Sequence, residues 1–398
     1  MPRTFYEFFA GGGMSRYGLG SGWRCLFAND IDDKKAECYR ANFAGEELTV
    51  RDVSSLKAAD LPGTADLAWA SFPCQDLSLA GNGAGLRGNR SGTFWPFWRL
   101  IEDLCDEDRA PGIVVLENVC GTLRSHGGRD FASIADALAE TGYRIGALVV
   151  DAVQFLPQSR PRLFIVGAFK SVQIHQGLSK AVPDERWTPQ ALNEAHSKLS
   201  SETARRWVWW TLPGPRSARR RFSDLVEENP AGINWHSQSE TQRLLGLMSS
   251  LNRAKVDAKK RESKRTALPV VGTIYRRTRE DEAGKKQQRA EVRFDEIAGC
   301  LRTPAGGSSR QTILVIEGDR IRSRLLSPRE AARLMGLPED YKLPERYNDA
   351  YQVAGDGVAV PVVRHLAEHL LEPLLPLSGE SSKAASREHA RSHTIGLT

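Results

Sequence analysis

The sequence predicts an α/β chain: a large, doubly wound sheet domain interrupted by a smaller basic insert. Two observations carry most of this prediction. Through the first 170 residues, short apolar strands alternate with helical patterns, as β-α-β units require. Charge is also uneven: residues 201–300 hold 21 Lys and Arg against 13 Asp and Glu, a surplus of 8, whereas all 398 residues carry a net charge of only +6. The basic character therefore sits in one middle block on a near-neutral body. A solvated basic surface and a polyanion-binding module are both open on charge alone. The boundaries that follow are 1–170 for the first part of the sheet domain, 171–325 for the insert, 326–376 for the return, and 377–398 for a disordered tail.

The first strand, Thr4 to Phe9, runs into Ala10-Gly11-Gly12-Gly13, and a helix starts at Met14. Glycines there let backbone approach a ligand, next to the free N–H groups of a helix start. A dinucleotide fingerprint needs a third glycine where Arg16 stands, so a nicotinamide cofactor is poorly supported. The second strand, Arg24 to Ala28, ends in Asn29-Asp30-Ile31-Asp32 ahead of a helix from Lys34 to Asn42. An acid at this strand tip is placed for ribose hydroxyls, and Asp30 or Asp32 also suits a helix cap. Leu48 to Val53 is a short strand carrying a further acid, Asp52. Glycine turn, Asp30 and Asp52 on successive strand ends together describe an adenosyl-type site.

The apolar run Ala65 to Ala70 delivers Ser71-Phe72-Pro73-Cys74-Gln75 to the sheet edge. Proline stiffens that turn, and the thiol of Cys74 is expected to face a cleft; a small buried, unreactive cysteine is the alternative. The glycine-rich loop Gly81 to Gly92 is a candidate lid, followed by an amphipathic helix to about Cys105. Ile113 to Leu116 reads as a strand buried on both faces, ending in Glu117-Asn118-Val119. Helix Phe131 to Thr141 and strand Tyr143 to Asp151 lead to Gln158-Ser159-Arg160-Pro161-Arg162, at the head of strand Leu163 to Gly167. Two arginines around a proline form a rigid donor pair for carbonyl or phosphate oxygens.

From 171 to 325 the periodicity weakens, and the segment reads as mostly irregular and rich in Arg, Lys and Trp (Trp207, Trp209, Trp210, Trp235). Ile274 to Arg279 resembles a strand with basic side chains, and Leu301 to Gln311 a glycine–serine loop flanked by Arg. That mixture fits nucleic acid. Order returns with the capping box Ser327-Pro328-Arg329-Glu330. Tyr351 to Pro361 reads as a second glycine turn entering a helix. Within it, His365-Leu366-Ala367-Glu368-His369 matches an inverted zinc-protease pattern, but with no third ligand in prospect it is read as a solvated helical face. Six cysteines without a close pair suggest neither zinc nor disulfides. No apolar run is long enough for a membrane span and no signal-peptide layout opens the chain, so a reducing, cytoplasmic setting is expected.

Assembled in order, these residues resemble the DNA (cytosine-5) methyltransferases. Phe9 to Gly13 is similar to their F-x-G-x-G loop, Pro73-Cys74-Gln75 to P-C-Q, Glu117-Asn118-Val119 to E-N-V, and Gln158, Arg160 and Arg162 to Q-x-R-x-R. The resemblance implies a Rossmann-like, S-adenosylmethionine-dependent methyltransferase domain with a smaller inserted target-recognition domain. It implies methyl transfer from S-adenosyl-L-methionine to C5 of a specific cytosine in double-stranded DNA. Cys74, Glu117, Arg160 and Arg162 would be the catalytic set. Phe9, Ala10, Gly11, Gly13, Asp30, Ile31, Asp52, Val53, Pro73, Asp356 and Val358 would bind the cofactor. The chemistry asks for the same residue types: C5 is a weak nucleophile until a thiolate adds at C6. Two departures stand out: Gly355-Asp356-Gly357 replaces the usual G-N-S, and Ser91-Gly92 replaces R-G. The implied setting is a monomeric modification enzyme paired with a restriction endonuclease that acts on the same site. The alternatives are an RNA (tRNA) cytosine-5 methyltransferase, a solitary regulatory DNA methylase, a silent DNA-binding protein and a nicotinamide oxidoreductase.

Overall fold

Seven strands and four helices build the sheet domain: β1 (Arg3–Phe8), α1 (Met14–Leu19), β2 (Trp23–Asp30), α2 (Asp33–Phe43), β3 (Leu48–Val50), β4 (Leu67–Ala70), α3 (Phe94–Asp106), β5 (Ile113–Val119), α4 (Arg129–Glu140), β6 (Tyr143–Asp151) and β7 (Pro161–Phe169). These come from a computed structural model that describes residues 2–73, 91–215, 220–280, 284–302 and 310–375. The strand order is β3-β2-β1-β4-β5-β7-β6. Strands β1 to β5 pair in parallel, and β7 runs antiparallel to both β5 and β6. The carboxyl ends of β1 to β5 and the amino end of β7 therefore meet at one sheet edge, where an open α/β sheet takes its ligands.

The apolar runs form strands because both faces are covered. Phe5, Leu67, Trp69, Ile113 and Val115 enter one core, while Tyr6, Phe8, Ala68, Val114 and Leu116 enter the other, in the alternation a pleated strand imposes. α3 closes the second face with Phe94, Phe97, Trp98, Ile101 and Leu104, spaced three or four apart. Burying one such large side chain contributes roughly 1.5–3 kcal/mol, so an Ile101→Asp change would open this layer. The first face is closed by α1 and by helices Pro328–Leu334, Tyr347–Asp356 and Val360–Leu366. The Ser327 cap works as expected: Ser327 and Glu330 exchange side-chain and backbone bonds, with Pro328 in the first turn.

Three expectations are corrected. Trp210 is buried in the first core with Trp187 and Leu212, and its indole N–H donates to Val166 O at 3.1 Å. Trp207 packs on Phe131, and its strand segment bridges Ile145 of β6. Those tryptophans extend the sheet domain and are spent on packing instead of nucleic acid. The insert is also regular. Strands Val270–Glu280, Lys286–Arg293, Thr312–Glu317 and Arg320–Leu325 form an antiparallel sheet. With helices Gln238–Gly246 and Ser250–Thr266 it has a core of its own, built on Leu244, Leu245, Met248, Val256, Ile274, Val292, Leu314 and Ile316. Finally, Tyr351–Asp356 is helical, and His365 is no solvated face: it is buried, packed edge-on against Phe155, and bonded through Nε2 to Pro213 O at 2.9 Å. Among the described residues no cluster could hold a metal ion, and no helix is long and apolar enough to cross a membrane.

Candidate active site

At the carboxyl end of β5, Glu117 is nearly buried, and its Oε1 lies 3.1 Å from Arg162 Nε on the neighbouring β7. The antiparallel β5–β7 register produces this meeting: Val119 pairs with Arg162, which leaves both side chains at the same edge. Asn118 turns the other way, and its Nδ2 donates to Phe72 O at 3.2 Å. The strand end that carries Pro73 is thereby tied to the strand end that carries Glu117. Cys74 and residues 81–90 of the candidate lid Gly81 to Gly92 lie outside the described residues. Pro73 is half-buried beside them.

Arg160, expected to fix either a phosphate or loop geometry, is turned into the interior. It is 2% exposed, and its Nη2 donates to Gly355 O at 2.8 Å and Gly357 O at 2.7 Å. Its Nη1 faces Cys300 Sγ at 3.3 Å and Leu301 O at 3.4 Å. Burial, with the Arg162 charge adding, holds its pKa below the usual guanidinium value. Arg160 touches no surface; it is a strut between β7, the insert and the last glycine turn. Gln158 works alongside it, fully buried, with Nε2 donating to Leu334 O at 2.6 Å and Oε1 accepting from Leu301 N–H at 3.3 Å.

The glycine turn after β1 is held from below and open in front. Gly11 N–H donates to Asp30 Oδ2 at 2.7 Å, and Asp32 N–H to Asp30 Oδ1 at 2.9 Å. A Cβ built on Gly11, whose φ is +57°, would meet none of the described residues within 4 Å. Among those residues the space before the turn is open to a ligand. The Asp30 carboxylate keeps unused lone pairs, since an ionised carboxylate offers about four acceptor sites. Ile31 is 66% exposed at the tip of β2, an apolar surface with no packing role. Asp32, not Asp30, caps α2. Asp52 is exposed, and hydrogen bonds from the Ser54 side chain and from the Ser54 N–H at 2.8 Å lower its pKa, while Val53 is buried. Phe9 adopts a positive φ of 56° and packs on Phe97; Ala10 is buried, and Gly13 caps α1 in the left-handed region. This cradle of open glycine backbone, acids at two strand tips and an exposed aliphatic side chain fits an adenosyl group.

The last glycine turn leans on the same cradle. A Cβ at Gly357 would lie 2.0 Å from Met14 Sδ, so a serine there would require the Met14 side chain of α1 to shift. Asp356 pairs with Lys35 Nζ of α2 at 2.8 Å, an anionic use that asparagine could not serve. The aspartate in place of asparagine thus has a local cause. Val358 is buried beneath them. Sequence reasoning assigned no role to Asn118, Gln158, Lys35 or Tyr341, whose hydroxyl donates to Gly12 O. For Asn118 and Gln158 the signal was present, since both stand inside motifs already singled out.

A family model described as C-5 cytosine-specific DNA methylase matches residues 3–372. The chain is 25% identical over 391 residues to the Type II methyltransferase M.HpaII of Haemophilus parainfluenzae, covering 93% of this chain and 90% of that protein. It is 27% identical over 370 residues to the Type II methyltransferase M.DsaV of Dactylococcopsis salina, covering 92% and 85%. Among solved structures, S. pombe Dnmt2 methyltransferase superposes with a TM-score of 0.58 at 18% identity, covering 94% of this chain and all of that one. A putative DNA modification methyltransferase encoded within an E. coli prophage gives 0.52 at 18% identity, covering 92% and 97%. At such identities the structural likeness speaks for the fold.

Proposed function

The chain belongs to the C-5 cytosine-specific DNA methylase family, and from that premise we propose that it methylates one cytosine within a short duplex sequence through a covalent Cys74 adduct. It is a DNA (cytosine-5) methyltransferase that uses S-adenosylmethionine. When bound, that cofactor supplies a methyl group on a positively charged sulfur. The observation that carries the proposal is the Glu117–Arg162 pair at 3.1 Å, set beside the Phe72–Pro73 strand end that Asn118 clamps.

In this reading the Cys74 thiolate adds to C6 of the base, forming an S–C bond and pushing the C5–C6 electron pair toward C5. Glu117 hydrogen-bonds the N3 and exocyclic-amine edge, which distinguishes cytosine from thymine, and Arg162 donates to the O2 carbonyl. Once C5 has taken the methyl group, its proton leaves to a base, the C6–S bond breaks, and the thiolate is regenerated. A stacked base cannot reach these groups, so the target nucleotide flips into the cleft. Gly11, Asp30, Ile31 and Asp52 would hold the cofactor, with Arg160 acting through the Gly355–Gly357 turn.

We assign target recognition to residues 237–325, a narrower span than 171–325, because Trp187 and Trp210 are spent in the sheet core. Strands Val270–Glu280 and Lys286–Arg293 run on past their sheet partner as a two-stranded ribbon, with β-partners Arg277 and Arg289 opposite each other and Arg279 opposite Gln287. The projecting half, Arg276 to Glu280, is exposed and spans about 17 Å at the usual rise per residue. A ribbon of that kind enters a major groove, where Arg reads guanine and Gln reads adenine. The Type II names of its relatives support a modification enzyme with a partner endonuclease acting on the same site. Bisulfite sequencing of DNA from a methylation-free host expressing the chain tests the whole reading. Methylation confined to one short motif, and absent with Cys74→Ala, is the expected result; unmethylated DNA in both samples would overturn it.

A further inference from the structure

The insert touches the sheet domain along Ala298–Leu301, and that contact is stitched to the residues ahead of β7. Ser159 N–H donates to Ala298 O at 2.8 Å, and Ala298 N–H to Pro157 O at 2.8 Å. Leu301 N–H donates to Gln158 Oε1 at 3.3 Å. Inside this seam sits Cys300, a half-buried free thiol. Its sulfur accepts from Arg160 Nη1 at 3.3 Å and lies 3.8 Å from Arg162 Nη2. Two guanidiniums thus converge on one sulfur at the meeting point of the insert, the last glycine turn and the Glu117 edge.

We infer that Cys300 is a positioning residue for cytosine methylation: its sulfur holds Arg162 against Glu117 and makes the alignment of that carboxylate depend on the insert being seated. The inference rests on the function proposed above. All five N–H groups of a guanidinium lie in one plane. Arg162 meets Glu117 through Nε and Cys300 through Nη2, so holding one edge of the plane sets the direction of the other. Arg160 spends its own Nη2 on Gly355 and Gly357, so the same sulfur also touches the strut behind the cofactor turn. Burial alone would push the Cys300 thiol up, but the two guanidiniums more than offset it and bring it below its ordinary value. An ionised sulfur is the stronger acceptor for both arginines. Cys120, also within reach of the Arg162 charge, is instead pushed up to about 11 by burial, so closeness to Arg162 does not by itself favour a thiolate.

The test compares Cys300→Ala with Cys300→Ser in the full chain, by steady-state kinetics on duplex DNA and by thermal melts. Losing one charge-assisted acceptor is expected to lower kcat about tenfold in the alanine variant, while KM for S-adenosylmethionine and for DNA stay within about twofold. Serine, which restores an acceptor, should recover most of kcat, and both variants should melt with the wild type. Wild-type kcat in the alanine variant, a loss confined to KM, or equal losses in both variants would overturn the inference. A second readout needs no methylation: iodoacetamide labelling of Cys300 at pH 7, read by peptide mass spectrometry. An Arg162→Gln change should slow labelling several-fold, because the guanidinium favours the thiolate; an unchanged rate would overturn the inference. A chain that methylated no DNA would sink the proposed function, and the labelling would still test the contact between Cys300 and Arg162.

Discussion

Replacing Arg160 distinguishes a structural strut from a DNA contact. In Arg160→Ala the Gly355 and Gly357 carbonyls lose donors at 2.8 and 2.7 Å inside the fold. A hydrogen bond involving a charged group contributes about 1.5–3 kcal/mol, and an unsatisfied buried carbonyl costs about 1–3 kcal/mol. These figures overlap, so we take about 3 kcal/mol for the pair together. The loss should fall first on the end of helix Tyr347–Asp356 and the Gly357 turn after it, because a helix end can open without unfolding the sheet. If that turn backs the cofactor cradle, 3 kcal/mol corresponds to S-adenosylmethionine binding weakened by roughly 100-fold. The melting temperature should fall by about 6 °C, at roughly 2 °C per kcal/mol for a large domain. Calorimetric titration of the cofactor and a thermal melt measure both. A phosphate contact would give another result: the slope of log K for DNA against log salt would shrink by about one while cofactor binding held. That pattern, or a variant indistinguishable from the wild type, would refute the strut.

Two further predictions concern groups outside the catalytic set. Glu7, fully buried in β1, takes the Ser15 hydroxyl and Arg16 N–H on Oε1, while Oε2 has no hydrogen-bond partner among the described residues, and burial pushes its pKa up to about 7. An acid with a raised folded pKa gives up its proton first in the unfolded chain, so stability should fall as pH rises from about 4.5 through about 7, by roughly 3 kcal/mol in all. Glu7→Gln keeps the acceptor and removes the titration; its urea midpoint should gain on the wild type between pH 5 and pH 8, and an equal difference at both would contradict this. On the ribbon, Arg277 and Arg279 share Glu291, at 3.3 and 2.6 Å. Replacing both by alanine should either relax one position of the recognition motif or reduce the DNA salt slope by about two, measured on the same duplexes; neither change would remove the ribbon from the DNA interface.

The sheet domain was legible because strands buried on both faces leave unbroken apolar runs, and because its helices carry caps and three-four spacing. Ile113 to Leu116 and the Ser327 cap are examples. The insert was not legible. Helix Ser250–Thr266 buries only Val256 and Ser263 of its seventeen residues, so its sequence looks like a charge run. Half of the ribbon is exposed on both sides, which erases alternation. Trp207 and Trp210 misled because an aromatic in a basic stretch suggests nucleic acid, while their packing depends on a sheet edge distant in sequence. The motifs named the site residues but not their duties. Arg160 and Arg162 stand two apart on one strand head, yet one is locked in the interior and the other faces Glu117. Only the packing of Gly355, Gly357 and Cys300 around Arg160 separates those roles.

The central claim is that Cys74 bonds to C6 of the target cytosine. The direct measurement is to incubate the chain and S-adenosylmethionine with a duplex carrying 5-fluorocytosine at the methylated position, then separate the products under denaturing conditions. Fluorine at C5 cannot leave as a proton does, so the final elimination is blocked. The account predicts a protein–DNA species that survives denaturation, maps by peptide mass spectrometry to Cys74, and vanishes in Cys74→Ala. No such species from a chain that methylates the ordinary duplex, or a crosslink mapping to another residue, would contradict it.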